Sequence, residues 1–488
     1  MTEHILSKTR FTAGWRCHKL LWWTVHEPDA TELQPDKVLQ DLFDQGRQVG
    51  EVARGDFPGG VLIDVPHSAR EQRVAETRTA LDGGAPAIFE ASFLADGVFV
   101  AVDVLERVDH GFRLLEVKSS TSQKEEHIPD VAIQVHVAEA SGVSISQAEV
   151  VHPDKEFRHP DQGELLARTD VTAPVRDLLP EIHSAIAGQR AALAGPLPQV
   201  PIGLHCFEPW ECPFRTRCWP ESRDHIFHLH GVGPKTVVKY LDKGIEWISD
   251  LPATAKLNFT QQRQLTAMAE DRLVVEPTLA KELAAFTGRL GFLDFETVAR
   301  AIPPWPGMTP WHQAAAQFSY HELQDDGTYT HAEHLAEGPD DARPPLAEAM
   351  VRATAAADRV VMYTSFEKTQ IRDLQRAVPG LASDLEALEA KLLDLHPVVK
   401  NCVYHPDFKG SFSLKYILSP LVPDLTYDDL VIVDGRLASV EIARLLFVAG
   451  RIPRHERDRV RQDLLDYCKR DTWAMTRLLD RLRELAEA

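Results

Sequence analysis

The sequence contains no segment with the character of a targeting or membrane-spanning element. Its first residues, MTEHILSKTRF, lack the apolar core of a signal peptide, and no stretch approaches the roughly 18 uninterrupted apolar residues that cross a bilayer. Internal repeats and low-complexity tracts are also missing. With a hydrophobic share of 44%, the composition predicts a folded, cytoplasmic protein without a membrane partner.

Cysteine and basic residues are both scarce. There are six cysteines among 488 residues, and reduced cytosolic thiols are more often ligands or core residues than disulfides. The 53 Lys and Arg residues are outnumbered by 73 Asp and Glu residues, for a net charge of -20. This balance argues against broad coating of nucleic acid. However, carboxylates gathered around divalent metals also make a chain acidic, and binding can rest on local basic patches.

The length predicts about three domains at about 150 residues each. Residues 1–222 mix helical patterns with a hairpin signal, residues 223–285 read as short amphipathic helices, and residues 286–488 begin with a strand and end with a helix starting near Arg457. The expected fold class is therefore a multidomain α/β protein.

The predicted hairpin contains the first group of candidate catalytic residues. In the stretch GFRLLEVKSS, Glu116 and Lys118 share one face of a strand, because side chains alternate. A turn at residues 109–111 brings Asp103, which stands among apolar neighbours, close to both. Such a carboxylate pair can hold Mg²⁺ or Mn²⁺ while the lysine assists an attacking water. The alternative for a lone Glu-Val-Lys is a solvated edge strand.

The stretch AVDVLERVDHGFRLLEVKSST, followed by DVAIQVHV, resembles the RecB-like branch of the restriction-endonuclease-like nucleases. The resemblance implies an α/β/α core, Asp103 and Glu116 as metal ligands, Lys118 as the catalytic lysine and Gln134 as a helix-borne catalytic residue. Glu90 is a further acidic candidate. The sequence departs from that pattern at two places, since no His stands near Gly50 and Ala138 occupies the position of a frequent Tyr.

Four cysteines form a second group: Cys17, Cys206, Cys212 and Cys218. The last three are separated by five residues each, which differs from the usual spacing of zinc sites. The pattern resembles the iron-sulfur version of the RecB-like nucleases, which implies a 4Fe-4S cluster held by four thiolates. A zinc site completed by His205 or His18, or simply buried thiols, is the alternative. Cys402 and Cys468 are expected in the core.

The segment LHGVGPKTV resembles the turn of a helix-hairpin-helix module. Gly231 and Gly233 would form the turn that exposes backbone N–H groups to a phosphate, and Lys235 would add positive charge. The alternative is an ordinary connector between helices. Residues 223–285 are therefore predicted as a small nucleic-acid-binding insert.

A third group of residues lies in the C-terminal part. In LGFLDFETVA, Asp294 and Glu296 share one face of an apolar strand. Tyr467 and Asp471 are four residues apart on a predicted helix and hence neighbours. Glu367, in VVMYTSFEKTQI, adds a third source of carboxylate. Acids from a strand, a strand-helix junction and a helix suit two metal ions that clamp a scissile phosphate.

Over residues 286–488 this pattern resembles the DEDD exonucleases of ribonuclease H-like fold, in the variant with Tyr-x-x-x-Asp as its last motif. The resemblance implies that Asp294, Glu296 and Asp471 are metal ligands and that Tyr467 orients the water. Glu367 stands where the family has Asp.

The whole chain resembles uncharacterised bacterial proteins that fuse a RecB-like nuclease to a DEDD-type domain. We therefore predict a metal-dependent nuclease with two active sites that hydrolyses nucleic acid from its ends or in single strands, with DNA favoured over RNA. Two alternatives stay open: a nucleic-acid-binding scaffold with one or both sites inactive, and an RNA exonuclease that uses only the C-terminal domain.

Overall fold

The computed structural model describes residues 5–488. It is a mixed α/β structure with several sheets, as the sequence predicts. These residues divide into two compact units, of which the first comprises residues 5–219 and 300–311 and the second comprises residues 220–299 and 312–488. In the part of the chain that the structure describes, no helix is long and apolar enough to cross a membrane. The division into domains 1–222, 223–285 and 286–488 stays a prediction.

The first unit is built around one sheet with the strand order β2-β3-β4-β5-β6-β7, and β1 pairs with β4 at one end. The pairs β2-β3, β5-β6 and β1-β4 are parallel, and the others are antiparallel. Its strands are β1 (Leu6–Ser7), β2 (Val61–Leu62), β3 (Ala87–Ala95), β4 (Val98–Val108), β5 (Gly111–Val117), β6 (Ile145–Pro153) and β7 (Leu166–Asp170).

Helices cover both faces of this sheet. Leu114 of β5 packs in the core shared with the fifth and sixth helices, whereas its neighbour Leu115 packs with Ala53 of the third helix on the other face. The helices of the first unit are α1 (Lys8–Arg16), α2 (His18–His26), α3 (Lys37–Arg54), α4 (Arg70–Asp82), α5 (His127–Ala140), α6 (Thr172–Ala194) and α7 (Arg215–Cys218). The first unit is thus a three-layer α/β/α arrangement.

The segment 300–311 also belongs to the first unit. Arg300 pairs with Asp41 at 2.7 Å, and the backbone N–H of Ala301 donates to Gln45 at 2.6 Å. Trp305 is buried. These contacts make the segment an integral part of that unit's packing, although the chain on either side of it belongs to the second unit.

The second unit contains a sheet with the strand order β11-β10-β9-β12-β13. The pairs involving β10 are antiparallel, and β12 is parallel to both of its neighbours. A separate two-stranded sheet pairs β8 with β14. The strands are β8 (Val274–Val275), β9 (Leu290–Val298), β10 (Ala314–Leu323), β11 (Tyr329–Leu335), β12 (Arg359–Met362), β13 (Leu392–Asp394) and β14 (Val403–Tyr404).

Alternation along β9 separates two cores. Leu290 and Phe292 pack with residues of the C-terminal helix, while Leu293 and Phe295 pack on the opposite face with helices from the middle of the unit. The helices are α8 (Pro234–Leu241), α9 (Phe259–Glu270), α10 (Leu279–Leu283), α11 (Arg343–Thr354), α12 (Phe366–Ala377), α13 (Ala382–Ala390), α14 (His396–Cys402), α15 (Leu414–Leu421), α16 (Gly435–Phe447) and α17 (Arg454–Glu487). Every second residue of β9 therefore faces α17.

Gly291 in β9 permits the close approach of a buried tyrosine from β10. A Cβ atom at residue 291 would lie 2.1 Å from the hydroxyl of Tyr320 and 2.3 Å from its ring. The hydroxyl is held in place because it donates to Glu322 at 2.7 Å. The absence of a side chain at this position is thus a packing requirement of the sheet.

We expect Gly291→Ala to lower the free energy of unfolding by about 2–3 kcal/mol, because the added methyl group overpacks a buried site. Urea unfolding followed by circular dichroism measures the change. The matched control is Gly380→Ala, since a Cβ there meets no atom within 4 Å. Equal midpoints for the two variants would contradict this account.

Candidate functional site

Three acidic side chains of the second unit converge on one point. Asp294 and Glu296 lie on the face of β9 that is turned towards α17, and Asp471 comes from α17 itself. One carboxylate oxygen from each of the three lies within 4.8 Å of the other two. The sequence prediction that these residues meet is therefore correct, while their role as metal ligands stays a prediction. We call the group, together with Glu367, the C-terminal carboxylate cluster.

Glu367 is the fourth member of this cluster. It lies in the first turn of α12, which follows β12, the strand parallel to β9. Its side chain is buried and shares a hydrogen bond with Asp294. The second oxygen of its carboxylate, Oε2, is buried without a hydrogen-bond partner. The glutamate thus reaches the cluster, although it stands where the DEDD pattern has an aspartate.

The electrostatics of the cluster are unfavourable for its ionised form. Burial, followed by the charge of Asp471, raises the pKa of Asp294 to about 8. Burial also raises the pKa of Asp471 to about 6, and burial together with the charge of Asp294 raises the pKa values of Glu296 and Glu367. Burial is thus the first cause of these shifts, and the neighbouring carboxylates add to it for Asp294, Glu296 and Glu367. A positive charge at this point would stabilise the ionised cluster.

Two tyrosines and one lysine border the cluster. Lys415 of α15 donates through Nζ to the hydroxyl of Tyr467 at 3.0 Å and also to the carbonyl of Val433. Tyr427 donates its hydroxyl proton to Oδ1 of Asp471. Tyr467 lies one turn before Asp471 on α17 and also shares a hydrogen bond with it. The predicted Tyr467 is therefore in place, whereas Lys415 and Tyr427 were not predicted.

Cys468, expected in the core, is buried but also touches the cluster. Its Sγ lies 3.7 Å from Oδ2 of Asp294. Burial and the neighbouring charge of Asp294 raise the pKa of this thiol. It therefore stays neutral and contributes no further negative charge. Cys402 is buried, as predicted, in the core of the second unit.

A second polar group lies in the first unit, where β4 and β5 pair. Val104 is opposite Leu115, so Asp103 comes next to Glu116, as the hairpin signal predicts. Oδ2 of Asp103 accepts from the backbone N–H of Val117 at 2.7 Å. Oε1 and Oε2 of Glu116 accept from Lys118 at 2.7 Å and from Gln134 at 2.8 Å. The four predicted residues are thus brought together; their catalytic roles stay a prediction.

Two residues that sequence reasoning missed complete this N-terminal group. Lys8 lies directly after β1, which pairs with the start of β4, and its Nζ is 2.7 Å from Oε1 of Glu116 and 3.7 Å from Oδ1 of Asp130. Asp130 comes from α5, one turn before Gln134, and also pairs with Lys118. No local pattern around Lys8 pointed to a site more than a hundred residues away.

The N-terminal group largely neutralises itself. Three carboxylates face two ammonium groups, and burial with the charge of Glu116 raises the pKa of Asp103 to about 7. Although burial opposes ionisation, Lys118 and Lys8 lower the pKa of Glu116. In contrast to the C-terminal cluster, charges of both signs are already paired at this point.

Glu90 contributes to a different set of contacts. It adopts a positive φ of 58° inside β3, and its carboxylate pairs with Arg54 at 3.2 Å and with the buried Arg73 at 3.3 Å. These two arginines occupy its oxygens. The structure thus supports an ion-pair role for Glu90.

The four predicted cluster cysteines line one pocket: Cys17, Cys206, Cys212 and Cys218. Apolar side chains, including Trp23 and Phe214, close the pocket, and His205 also lines it. The guanidinium of Arg16 interacts with several of the thiols. Although burial opposes it, the hydrogen bond from His205 helps to lower the pKa of Cys206 to about 7. Thiols from the two ends of the unit's main segment thus meet in one pocket.

The predicted helix-hairpin-helix turn leads into α8. Gly231 has a φ of 70°, and Gly233 is the N-cap residue before Pro234. The element before the turn is a single 3₁₀ turn, Ile226–His228, rather than a full helix. Lys235 lies in the first turn of α8. A role of these three predicted residues in binding nucleic acid stays a prediction.

Comparison with known proteins gives little information on function. Residues 291–413 match a family model described as a domain of unknown function (DUF2779). No curated protein matches the sequence. Similar solved structures include the crystal structure of SSO0001, with 12% identity over 45% of this chain and 87% of that chain and a TM-score of 0.23. Another is an alkaline exonuclease, LHK-Exo, from Laribacter hongkongensis, with 18% identity over 26% of this chain and 69% of that chain and a TM-score of 0.17.

We expect the metal-free protein to lose stability as pH rises from about 6 to about 8. The folded state binds protons at Asp294 and Asp471 in a range where the unfolded state has released them, so the stability that these protons confer is lost as pH rises through the raised pKa values. Asp294→Asn removes one of the two groups. Between pH 6 and pH 8 its unfolding midpoint should therefore decrease by several degrees less than that of wild type.

Thermal unfolding in the presence of a chelator, measured across this pH range, tests the expectation. Asp466→Asn is the control, because Asp466 lies on the same helix but is exposed. An identical pH dependence for wild type and Asp294→Asn would contradict the assigned electrostatics.

Proposed function

We propose that the protein is a metal-dependent nuclease whose main hydrolytic site is the C-terminal carboxylate cluster. The observation that carries the proposal is the convergence of Asp294, Glu296 and Asp471 within 4.8 Å, joined by the buried Glu367. Such a concentration of buried carboxylate is costly unless cations bind to it. Phosphodiester hydrolysis is the chemistry that such a site performs best, because metal ions neutralise the charge that develops on the phosphate.

The sheet of the second unit supports the ribonuclease H-like part of the proposal. Three consecutive strands, β9, β10 and β11, form an antiparallel meander, and β12 and β13 extend it in parallel on the other side of β9. The first strand is therefore central and carries two of the acids. The third comes from the long helix that packs on that face.

The donor set fits Mg²⁺ or Mn²⁺. All of the converging atoms are carboxylate oxygens, which hard divalent cations prefer. Asp294, Glu296 and Asp471 would hold the ions, and the unpartnered oxygen of Glu367 offers a further donor. When bound, such ions lower the pKa of a coordinated water and stabilise the attacking and leaving oxygens.

The neighbouring residues orient the reacting groups. Because Lys415 donates to the hydroxyl of Tyr467, the tyrosine's own proton is available to Asp471 or to a water beside it. Tyr427 donates to Oδ1 of Asp471 and so holds that carboxylate in place. Tyr467 thus acts as the residue that positions the nucleophilic water, and Lys415 holds it in that orientation.

We propose that the substrate is nucleic acid, and we favour DNA ends or single-stranded DNA over RNA. Gly231, Gly233 and Lys235 would contact its phosphates near the start of α8. The acidic net charge of -20 makes binding dependent on such local contacts and on the metal ions. The alternative is an RNA exonuclease that acts through the same C-terminal cluster. A comparison of the rates on DNA and on RNA distinguishes the two.

We propose the N-terminal group as a RecB-like site that binds metal ions more weakly than the C-terminal carboxylate cluster. Asp103 and Glu116 would be its metal ligands, and Lys118 and Gln134, which both donate to Glu116, support this assignment. Lys8, however, already compensates Glu116. This favours the reading in which the C-terminal cluster performs most of the hydrolysis and the N-terminal group has weak activity or serves in binding.

We expect Asp294→Asn to reduce degradation of labelled nucleic acid by about a hundredfold or more, because several kcal/mol of transition-state stabilisation come from the bound metal. Lys118→Ala should retain most of the activity. The measurement is the initial rate on single-stranded DNA and on RNA with Mg²⁺ or Mn²⁺, and a chelator should abolish it.

Asp466→Asn serves again as the matched carboxylate control and should keep wild-type activity. If wild type cuts neither substrate with any divalent ion, the scaffold alternative is correct. If Lys118→Ala is inactive while Asp294→Asn is active, the hydrolytic site is the N-terminal group instead.

We also propose that the four cysteines hold a 4Fe-4S cluster. Their shared pocket with apolar walls and a nearby arginine supports this assignment, because four thiolates and a positive neighbour suit an anionic cluster. The cluster would join the start of α2 to the segment around α7.

Protein purified without oxygen should be brown and contain about four iron atoms per chain, since a cubane cluster has four. Cys212→Ala should lose most of this iron and lower the unfolding midpoint, whereas Cys402→Ala, at a buried thiol of the other unit, should keep the iron. Elemental analysis and visible absorption give the result. One zinc ion per chain and no iron would favour the zinc alternative.

A further inference from the structure

A third group of potential metal ligands lies in the first unit, apart from the residues assigned above. Asp96, His136 and His183 each place one ligand atom within 4.8 Å of the other two. Nε2 of His136 is 2.9 Å from Oδ2 of Asp96, and the ring centroids of His136 and His183 are 6.4 Å apart. The three residues come from three separate elements: the β3-β4 turn, α5 and α6.

The turn that carries Asp96 has a well-defined geometry. Ala95 pairs with Val98, so the turn has only two residues, and both are left-handed, with φ values of 52° for Asp96 and 71° for Gly97. Asp-Gly is a preferred sequence for this type of hairpin. A Cβ atom on Gly97 would lie 3.1 Å from the guanidinium of Arg190 in α6, so the turn packs closely against that helix.

The two helices also have fixed positions. His136 is flanked by the buried Val135 and Val137 on α5, and His183 follows the buried Ile182 on α6. The side chain of His136 is 18% exposed and that of Asp96 is 46% exposed. The ligand atoms are thus accessible to an ion from solvent, while the backbone positions behind them are set by the core.

The chemistry of this group differs from that of the carboxylate cluster. Two imidazoles and one carboxylate suit Zn²⁺ and related transition ions, whereas Mg²⁺ prefers oxygen ligands alone. For a tetrahedral zinc with bonds of about 2.0–2.1 Å, ligand atoms are separated by about 3.3 Å. The observed atoms lie within 4.8 Å of one another, so binding would draw them closer together. Three protein ligands leave one position for water.

We propose that Asp96, His136 and His183 form a binding site for a zinc-type divalent cation. The ion ties the β3-β4 turn to α5 and α6. The site is independent of the proposed nuclease function, because none of its three ligands belongs to the carboxylate cluster, the N-terminal group or the cysteine pocket.

The site is connected to the N-terminal group through the backbone. The carbonyl of Gly97, next to Asp96, accepts from the N–H of Leu6 at 3.0 Å, and Lys8 follows two residues later. On the other side, α5 carries His136 and, within two turns, Gln134 and Asp130. A bound ion therefore steadies both the strand that positions Lys8 and the helix that positions Gln134.

Zinc binding by the full chain tests the proposal, using equilibrium dialysis and elemental analysis. We expect wild type to bind one more Zn²⁺ per chain than His183→Ala or Asp96→Asn, or to bind that ion at least tenfold more tightly. The control is His67→Ala, an exposed histidine of the same unit, which should behave as wild type. A hundredfold excess of Mg²⁺ should not displace the ion.

In the proposed function the carboxylate cluster and the cysteines also bind metal ions, so a second measurement identifies the ligands of the added zinc. In protein labelled with ¹⁵N in its histidines, Zn²⁺ should shift the ring nitrogen resonances that are lost in His136→Gln and His183→Ala. Unfolding midpoints without metal verify that both variants are folded. If wild type and the variants bind zinc equally and no such resonance shifts, the proposal is wrong. Asp96 and His136 then form only an ion pair, with His183 as a neighbour.

Discussion

The burial of several carboxylates at one point, where they also repel one another, is the constraint on which the second unit's chemistry depends. The sheet fixes Asp294 and Glu296 on one face, and α17 packs on that face because Leu290 and Phe292 bind its apolar residues. The same packing that stabilises the unit therefore forces Asp471 against two other acids. The free energy of the hydrophobic core maintains an arrangement that electrostatics alone would separate. In the proposed function, cations would bind tightly at such a site because folding has already brought the ligands together.

The N-terminal group shows how the same residue types give a different balance. It also contains three carboxylates, but Lys8 and Lys118 share Glu116 between them. The difference comes from topology, since β1 pairs with the start of β4 and so delivers an ammonium group to the end of β5. In the first unit lysine side chains thus compensate the negative charge, whereas in the second unit Lys415 and Arg470 compensate it only in part. Because of this contrast, the proposed hydrolysis is assigned to the second unit.

Much of both sites could be predicted because local periodicity determined it. Alternation along β9 put Asp294 and Glu296 on one face, and the hairpin register put Asp103 beside Glu116. Asp130, one turn before Gln134 on α5, follows from the same kind of periodicity, whereas Lys8, Lys415 and Tyr427 could not be predicted in this way. Each reaches its site through long-range packing, and an isolated lysine or tyrosine in a short helix or loop has no periodic signal. Glu90 illustrates the opposite case, because a carboxylate near the predicted motif is used by Arg54 and Arg73 instead.

The placement of residues 300–311 in the first unit has a consequence for how the chain folds during synthesis. The rest of that unit is complete at Trp219, yet the segment that covers Asp41 and Gln45 is made only after a further eighty residues. A nascent chain must therefore hold the first unit with part of its surface uncovered while the early strands of the second unit emerge from the ribosome. Neither unit can be released intact by a single proteolytic cut, so the two are linked through their assembly as well as through their sequence.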